Sequence, residues 1–585
     1  MRTLARASAA VKTIKSITAG LHQYFTPDAL LKSVEDGTIA PLRGTWLIEH
    51  QRRGGRLTFR QALPPEAFFP AQELRELVPA LGQNWGLLFV ALSYRWLSTA
   101  DPDPQGDHLR IVAAAAQLYL KGHDHALDTG RNGHTRGNVF GPTIHFSPLI
   151  EACVQAGVSR EHWDFALMWD QCSLYQLPRT PEQQTSFEAG LAMLSVWYGN
   201  HDAVTWMQTY LPNWFLEKIR KHNEDHPEQP IAQSYDASGW CFFEATVSAC
   251  MKPSERRLDI GAAFGTAGAL EQLPAYGSSA DWPDARRLDR VCQAQRVPPL
   301  TPEQMADKLR SKVFSRPFGD NSLVADLYKG FFDTAAHAHR ADHADKHGGQ
   351  PLALDFAHLG WCDEAAQLQC VLPRFQTLTT LDLAHNRLGY CADPDGMQRL
   401  SSAISECAAL SELNLASNGL GSVGAIALAR ALKSQAAKCR LASLTLSHAG
   451  SHPTIGADGA RELGLFLGSS NGRSLKHLDV SSNDLCGVNY LGSGSYDNRG
   501  LVAIATALRS PGCSLAHLSL ANNRLGALPG STRRSAGEAV LACLDKGGRS
   551  LPLVDLDMEY TSLAEEEQLA LRRTAARCGI RVFVV

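Results

Sequence analysis

Ser234-Tyr-Asp-Ala-Ser-Gly-Trp-Cys-Phe-Phe-Glu-Ala-Thr-Val-Ser-Ala-Cys250 is the stretch around which the N-terminal half of the chain is read. Asp236 and Ser238 suit a helix start, because a short side-chain oxygen can accept an orphan backbone N–H. No breaker interrupts Trp240 to Cys250, and Pro253 then closes the run. The spacing predicts a helix on which Trp240, Glu244 and Val247 share one face. A carboxylate on the inward-packing face is costly to bury. Glu244 therefore has a partner or lines a cavity with chemistry to perform.

Upstream, Leu87-Leu-Phe-Val-Ala-Leu-Ser93 is a continuous apolar run, as expected of a strand buried on both faces. Leu109 to Leu120 reads as a helix. Phe165 to Asp170 reads as a second strand ending in an acid, Phe187 to Trp197 as a helix, and Ala203 to Met207 as a third strand. Strands alternating with helices argue for an α/β domain with a mainly parallel sheet. Ligands of such sheets bind beyond the C-terminal strand ends. Tyr94, Arg95 and Asp170 all follow strands, so they are expected at one sheet edge, within reach of Glu244.

These segments carry a family resemblance. Tyr235-Asp-Ala-Ser-Gly-Trp-Cys-Phe-Phe-Glu244 resembles the Tyr-Ala-x-Ser-x-Trp-Cys-x-x-Glu segment of TIR domains, and fungal HET domains have a similar Trp-x-x-x-Glu. The Leu87–Ser93 run followed by Tyr94-Arg95-Trp96 resembles the opening strand of both. Trp169-Asp-Gln-Cys-Ser-Leu-Tyr-Gln176 resembles the HET pattern Trp-x-Asp-x-x-Cys-Ile-x-Gln, one residue shorter between Trp and Asp. The resemblance implies a TIR/HET-like sheet flanked by helices. It also implies a catalytic Glu244 that cleaves NAD at the nicotinamide–ribose bond, with NAD as substrate and no resident cofactor. Tyr94, Arg95, Asp170 and Trp240 would line the nucleotide pocket. The loop from Gln176 to Glu182 would mediate association between like domains, which is also how a non-enzymatic adaptor would work.

The residues admit plainer readings too. Trp169 and Trp240 fit core aromatics, Arg95 fits a pair with Asp170, and Glu244 fits an anchor for a buried N–H. An insertion from about 121 to 148 and a polar stretch from Pro212 to Ser234 depart from the family pattern.

In the C-terminal half the sequence repeats itself. Leu378-Thr-Thr-Leu-Asp-Leu-Ala-His-Asn-Arg-Leu-Gly389 recurs from Leu410, Leu475 and Leu515, with degenerate copies from Leu441 and Leu551. This resembles the leucine-rich repeat, and implies an α/β solenoid whose strands line a concave, protein-binding face. The leading leucines stand 31 to 40 residues apart, so the units hold helices, as in the ribonuclease-inhibitor-like subclass, and also loops. Asn386, Asn418, Asn483 and Asn523 are expected to turn inward onto backbone groups. Strand alternation exposes Thr380, Asp382, Glu412, Asn414, His477, Asp479, His517 and Ser519. Acids without Lys or Arg argue against nucleic acid and for a protein ligand.

The expected boundaries are 1–80 for a leader and a hairpin (Thr45–Ile48 against Arg56–Phe59), 81–335 for the TIR/HET-like domain, 336–350 for a linker and 351–585 for the repeats. His339, His343 and His347 in the linker recur every four residues, a solvated composition rather than a metal site. No Gly-x-x-x-x-Gly-Lys-Ser/Thr loop marks a nucleotide switch. The net charge of −3 gives no global pull toward nucleic acid or membrane, and no apolar run reaches the roughly 18 residues of a membrane span. Fourteen cysteines without a Cys-x-x-Cys suit reduced thiols in a cytoplasmic protein and argue against zinc. The basic leader (Arg2, Arg6, Lys12, Lys15) makes an organellar location the alternative.

Overall fold

The computed structural model describes residues 21–98, 101–120, 147–228, 230–231, 233–265, 292, 294–314, 320–337, 352–393, 395–448, 453–489, 491–526 and 535–584. The basic leader, the 121–146 part of the insertion and the linker histidines lie outside these residues. The chain divides into two compact units, Met1–Thr334 and Ala335–Val585. Both are α/β.

Among the described residues the first unit holds five strands, β1 (Leu42–Arg43), β2 (Phe89–Tyr94), β3 (Ala166–Met168), β4 (Val204–Gln208) and β5 (Arg257–Asp259), in the order β1-β3-β2-β4-β5. β2 to β5 run parallel, and β1 pairs antiparallel with β3. Chain order reverses at β2, so the crevice where doubly wound sheets take ligands lies past the ends of β2 and β4.

Every residue of β2 is buried, which requires cover on both sides. Side-chain alternation shows what supplies it. Phe89 faces Trp197 of the Pro181–Gly199 helix, edge-on at 5.7 Å. On the other face, Trp206 of β4 meets Tyr119 of the Asp107–Tyr119 helix at 5.5 Å. The Gly239–Met251 helix is tied to the sheet by the buried Arg257, whose guanidinium donates to Ser248 Oγ (3.1 Å) and the Ala245 carbonyl (3.3 Å). Arg257 lies in β5, a strand the sequence reading missed because Arg257-Leu-Asp259 is short and charged.

Three local expectations are corrected. Thr45–Ile48 forms no hairpin strand. Gly44–Arg52 is a helix, held at its start by the Asp164 carboxylate, which accepts from Thr45 N (3.0 Å) and Thr45 Oγ1 (2.6 Å). Residues 21–80 are not a separate leader, since β1 extends the sheet. Ser238 precedes its helix without a side-chain cap bond. The Pro181 helix is properly capped: Thr180 and Gln183 form a reciprocal capping box. Thr180→Ala is expected to cost about 1 kcal/mol in denaturant titration.

Among the described residues the second unit holds an eight-stranded parallel sheet in strict chain order: β6 (Leu352–Asp355), β7 (Leu378–Asp382), β8 (Glu412–Asn414), β9 (Ser443–Thr445), β10 (His477–Asp479), β11 (His517–Ser519), β12 (Asp555–Asp557) and β13 (Arg581–Phe583). Leu354, Leu381, Leu413, Leu444, Leu478, Leu518 and Leu556 fall in one register column and all are buried. Helices such as Gly421–Lys433 and Arg499–Leu508 join successive strands. β6 belongs to a unit the sequence reading did not count, since it has Leu359 in place of the inward asparagine. Asn386 of the next unit accepts from Leu359 N (3.1 Å) and Trp361 N (3.0 Å), as Asn523 does from the unit before it. Among the described residues no helix is long and apolar enough to cross a membrane.

Candidate functional site

Glu244 projects from the Gly239–Met251 helix toward the C-terminal end of β2. Its Oε2 accepts a hydrogen bond from Ser93 Oγ, and the Tyr235 hydroxyl meets the same Ser93 oxygen. Tyr198, whose hydroxyl donates to the Leu92 carbonyl (2.7 Å), is the other neighbour of the carboxyl. Glu244 is only 7 % exposed. Burial pushes its carboxyl well above the ordinary carboxylate range; the Ser93 bond opposes the shift, the Asp170 charge adds to it, and Tyr198 opposes it.

Tyr94 follows Ser93, and alternation sends it to the opposite face of the sheet. Its hydroxyl donates to Asp170 Oδ1 (2.8 Å), while Trp96 Nε1 donates to Asp170 Oδ2 (3.1 Å). Burial also raises the Asp170 carboxyl, against these bonds. The Tyr94 ring lies edge-on to Trp169 (5.5 Å) and His108 (5.1 Å). His108 is fully buried, with Nε2 against the Arg95 carbonyl (2.9 Å) and Nδ1 against the Gln208 amide. Burial lowers its pKa.

Arg95 is buried, and its guanidinium donates to the Ser234 carbonyl and lies over the Phe215 ring at 5.5 Å. The half-buried Trp240 donates its indole N–H to Asp320 Oδ2 (3.2 Å) of the Asp320–His337 helix.

All five residues singled out in the sequence thus belong to this region of the first unit, but they do not converge on one hollow. Tyr94 pairs with Asp170 on one face. Glu244 joins Ser93 on the other. Arg95 holds the loop at Ser234, and Trp240 is engaged with Asp320. The expectation of an open, nucleotide-sized hollow beside Glu244 is corrected by its enclosure. The Arg95–Asp170 pair also gives way, since Tyr94 and Trp96 serve Asp170. Alternation along β2 would have separated Ser93 from Tyr94 on paper. His108 and Tyr198 carried no sequence signal, because each reaches the site from another element.

In the second unit the inward asparagines form the expected ladder. Asn418 Nδ2 donates to the carbonyls of Leu383 (2.8 Å), Leu415 (3.0 Å) and Ala416 (3.2 Å), and the pattern repeats at Asn386 and Asn523. On the outward side of the strands, Asp355, Asp382, Asn414, Thr445, Asp479, Ser519 and Asp557 share one register row. Beside it His477 stacks on His517 at 4.2 Å, and His517 Nδ1 lies 2.6 Å from Asp555.

Leu-rich strands, an asparagine ladder and joining helices define the repeat. The leucine rich repeat family model matches residues 376–390 and 406–429. The repeats point to a protein-binding role for this unit. No curated protein matches the chain. Among the described residues, one group of metal-ligating type comes together: Cys362, Asp363 and Cys391.

Proposed function

We propose that the chain is a recognition and signalling protein. Its repeats bind a protein through the outward strand face, and its N-terminal unit is a TIR/HET-like output domain that works by association with like domains. The observation that carries the output reading is the enclosure of Glu244: a buried carboxyl, hydrogen-bonded by Ser93 and set beside Tyr198 and Tyr235, offers little surface to a substrate. The Gln176–Glu182 segment supports docking. Gln61 Nε2 fixes it by donating to the Gln176 carbonyl (2.6 Å), and Leu177 is held out, 52 % exposed. The acidic row on the repeats favours a partner that presents Lys or Arg.

A second reading, NAD cleavage, is favoured by the position of Ser93 and Glu244 at the chain-order reversal of the sheet. Breaking the nicotinamide–ribose bond builds positive charge on the sugar, which an ionised carboxylate can stabilise. Glu244 would have to be uncovered and ionised to serve.

Purified full-length protein incubated with NAD under crowding distinguishes the two. Assembly without nicotinamide release is expected, with Leu177→Glu abolishing assembly while changing stability by no more than about 0.5 kcal/mol. Release that falls by roughly 10²–10⁴-fold in Glu244→Gln would establish the enzymatic reading instead.

A further inference from the structure

The thiols of Cys362 and Cys391 are 29 positions apart in sequence, in loops of the first two repeat units, yet their sulfur atoms and a carboxylate oxygen of Asp363 all lie within 4.8 Å of one another. Two soft thiols and one carboxylate in a triangle of this size constitute three ligands of a four-coordinate site. The geometry points to a zinc-binding site formed by Cys362, Asp363 and Cys391, with the fourth position open to solvent.

Two independent features support the assignment. The carboxylate is oriented by the loop that carries the second thiol: Asp363 accepts from Ala392 N (3.4 Å) and Asp393 N (3.2 Å). Outer-shell bonds of this kind fix ligand direction in metal sites. The three residues also line one small cavity backed by Leu388, Met397 and Leu400. Asp363 is exposed and both cysteines are half-buried, which leaves an entry path.

Binding requires both sulfurs as thiolates, so uptake of Zn²⁺ releases protons to solvent, with no redox change. Without metal, burial, the neighbouring Cys362 thiol and the Asp363 charge push the Cys391 thiol up to about 12. A divalent cation among the three groups reverses that preference. The ion would staple the unit of β6, which lacks its own inward asparagine, to the unit of β7. The proposal is independent of the reading of the first unit.

The test uses the full-length chain, reduced, stripped with a chelator and titrated with Zn²⁺ against a chromophoric competitor. One equivalent should bind, and Co²⁺ in its place should give a thiolate-to-metal charge-transfer band and the intense visible bands of four-coordinate Co²⁺. Asp363→Asn and Cys391→Ser should each weaken binding by at least about tenfold. The exposed Asp363→Asn keeps the test decisive should a cysteine variant misfold. Two results would overturn the site: no zinc uptake by the reduced wild type, or uptake unchanged in Asp363→Asn and Cys391→Ser. A Cys362–Cys391 disulfide in protein purified without reductant, with no zinc uptake after reduction, would assign the pair to redox chemistry and also reject it.

Discussion

Asn523→Ala is expected to destabilise the repeat unit by about 3–5 kcal/mol, the largest effect of any single exchange considered for that unit. Asn523 is completely buried. Its Nδ2 donates to the carbonyls of Val480 (3.0 Å), Leu520 (2.9 Å) and Ala521 (3.2 Å), and its Oδ1 accepts from Asn483 N (3.0 Å) and Leu485 N (3.2 Å). Alanine leaves the two backbone donors without their acceptor, and it opens a cavity. Asn483 is itself a ladder residue, so the damage passes to the preceding unit. Stacked repeats depend on nearest-neighbour interfaces. Hydrogen exchange should therefore accelerate first in β10 and β11, ahead of global unfolding. Asn414→Ala is the control, because Asn414 sits on the solvent side and its bond to Asp382 (2.9 Å) is half exposed. It should cost about 1 kcal/mol or less. Equal losses in the two variants would mean that the inward amide does not hold the stack.

The contrast between the two units explains what could be read in advance. A repeat announces itself: Leu378, Leu410, Leu475 and Leu515 each lead the same run, and one rule of side-chain direction places every copy. The first unit met once what the second met many times. Its central strands were legible because β2 is buried on both faces and therefore continuously apolar. β1 and β5 were not, being two and three residues long and bearing Arg43 and Arg257. Gly44–Arg52 misled, since Thr45, Trp46 and Ile48 favour strands in isolation, and the helix follows from Asp164, over a hundred residues away. At the candidate site, the sequence did not reveal how Glu244, Tyr94, Arg95, Asp170 and Trp240 are partnered. Tyr94 was expected within reach of Glu244, while the pleat puts Ser93, not Tyr94, on the Glu244 face. The zinc triangle was invisible for a related reason: Cys362 and Cys391 follow no ligand spacing, and only the stacking of two units brings them together.

Glu244→Gln is expected to stabilise the protein at about pH 8 relative to wild type, and to match it near the ordinary glutamate value of about 4.3. The carboxyl is held in the fold well above its ordinary value, chiefly by burial. Below the unfolded value both states carry the proton, and the packing of the neutral acid counts in full. As pH rises the unfolded chain ionises first, so stability falls until the folded value is passed. Glutamine keeps the shape and can still accept from Ser93, yet never ionises, and so removes this share of the slope. Asp164 and Asp170, raised by the same cause, leave a remainder. Glu244→Ala, by contrast, leaves a cavity and takes the acceptor from Ser93, and should cost about 2–3 kcal/mol near pH 5. Denaturant titrations across pH on the three proteins measure both effects. A carboxylate standing ionised in an open nucleotide pocket predicts the reverse: no gain from glutamine at alkaline pH, little loss from alanine, and nicotinamide release lowered by roughly 10²–10⁴-fold in either. The same pair of substitutions therefore decides between an acid enclosed in the packing of the domain and an exposed one that acts on NAD.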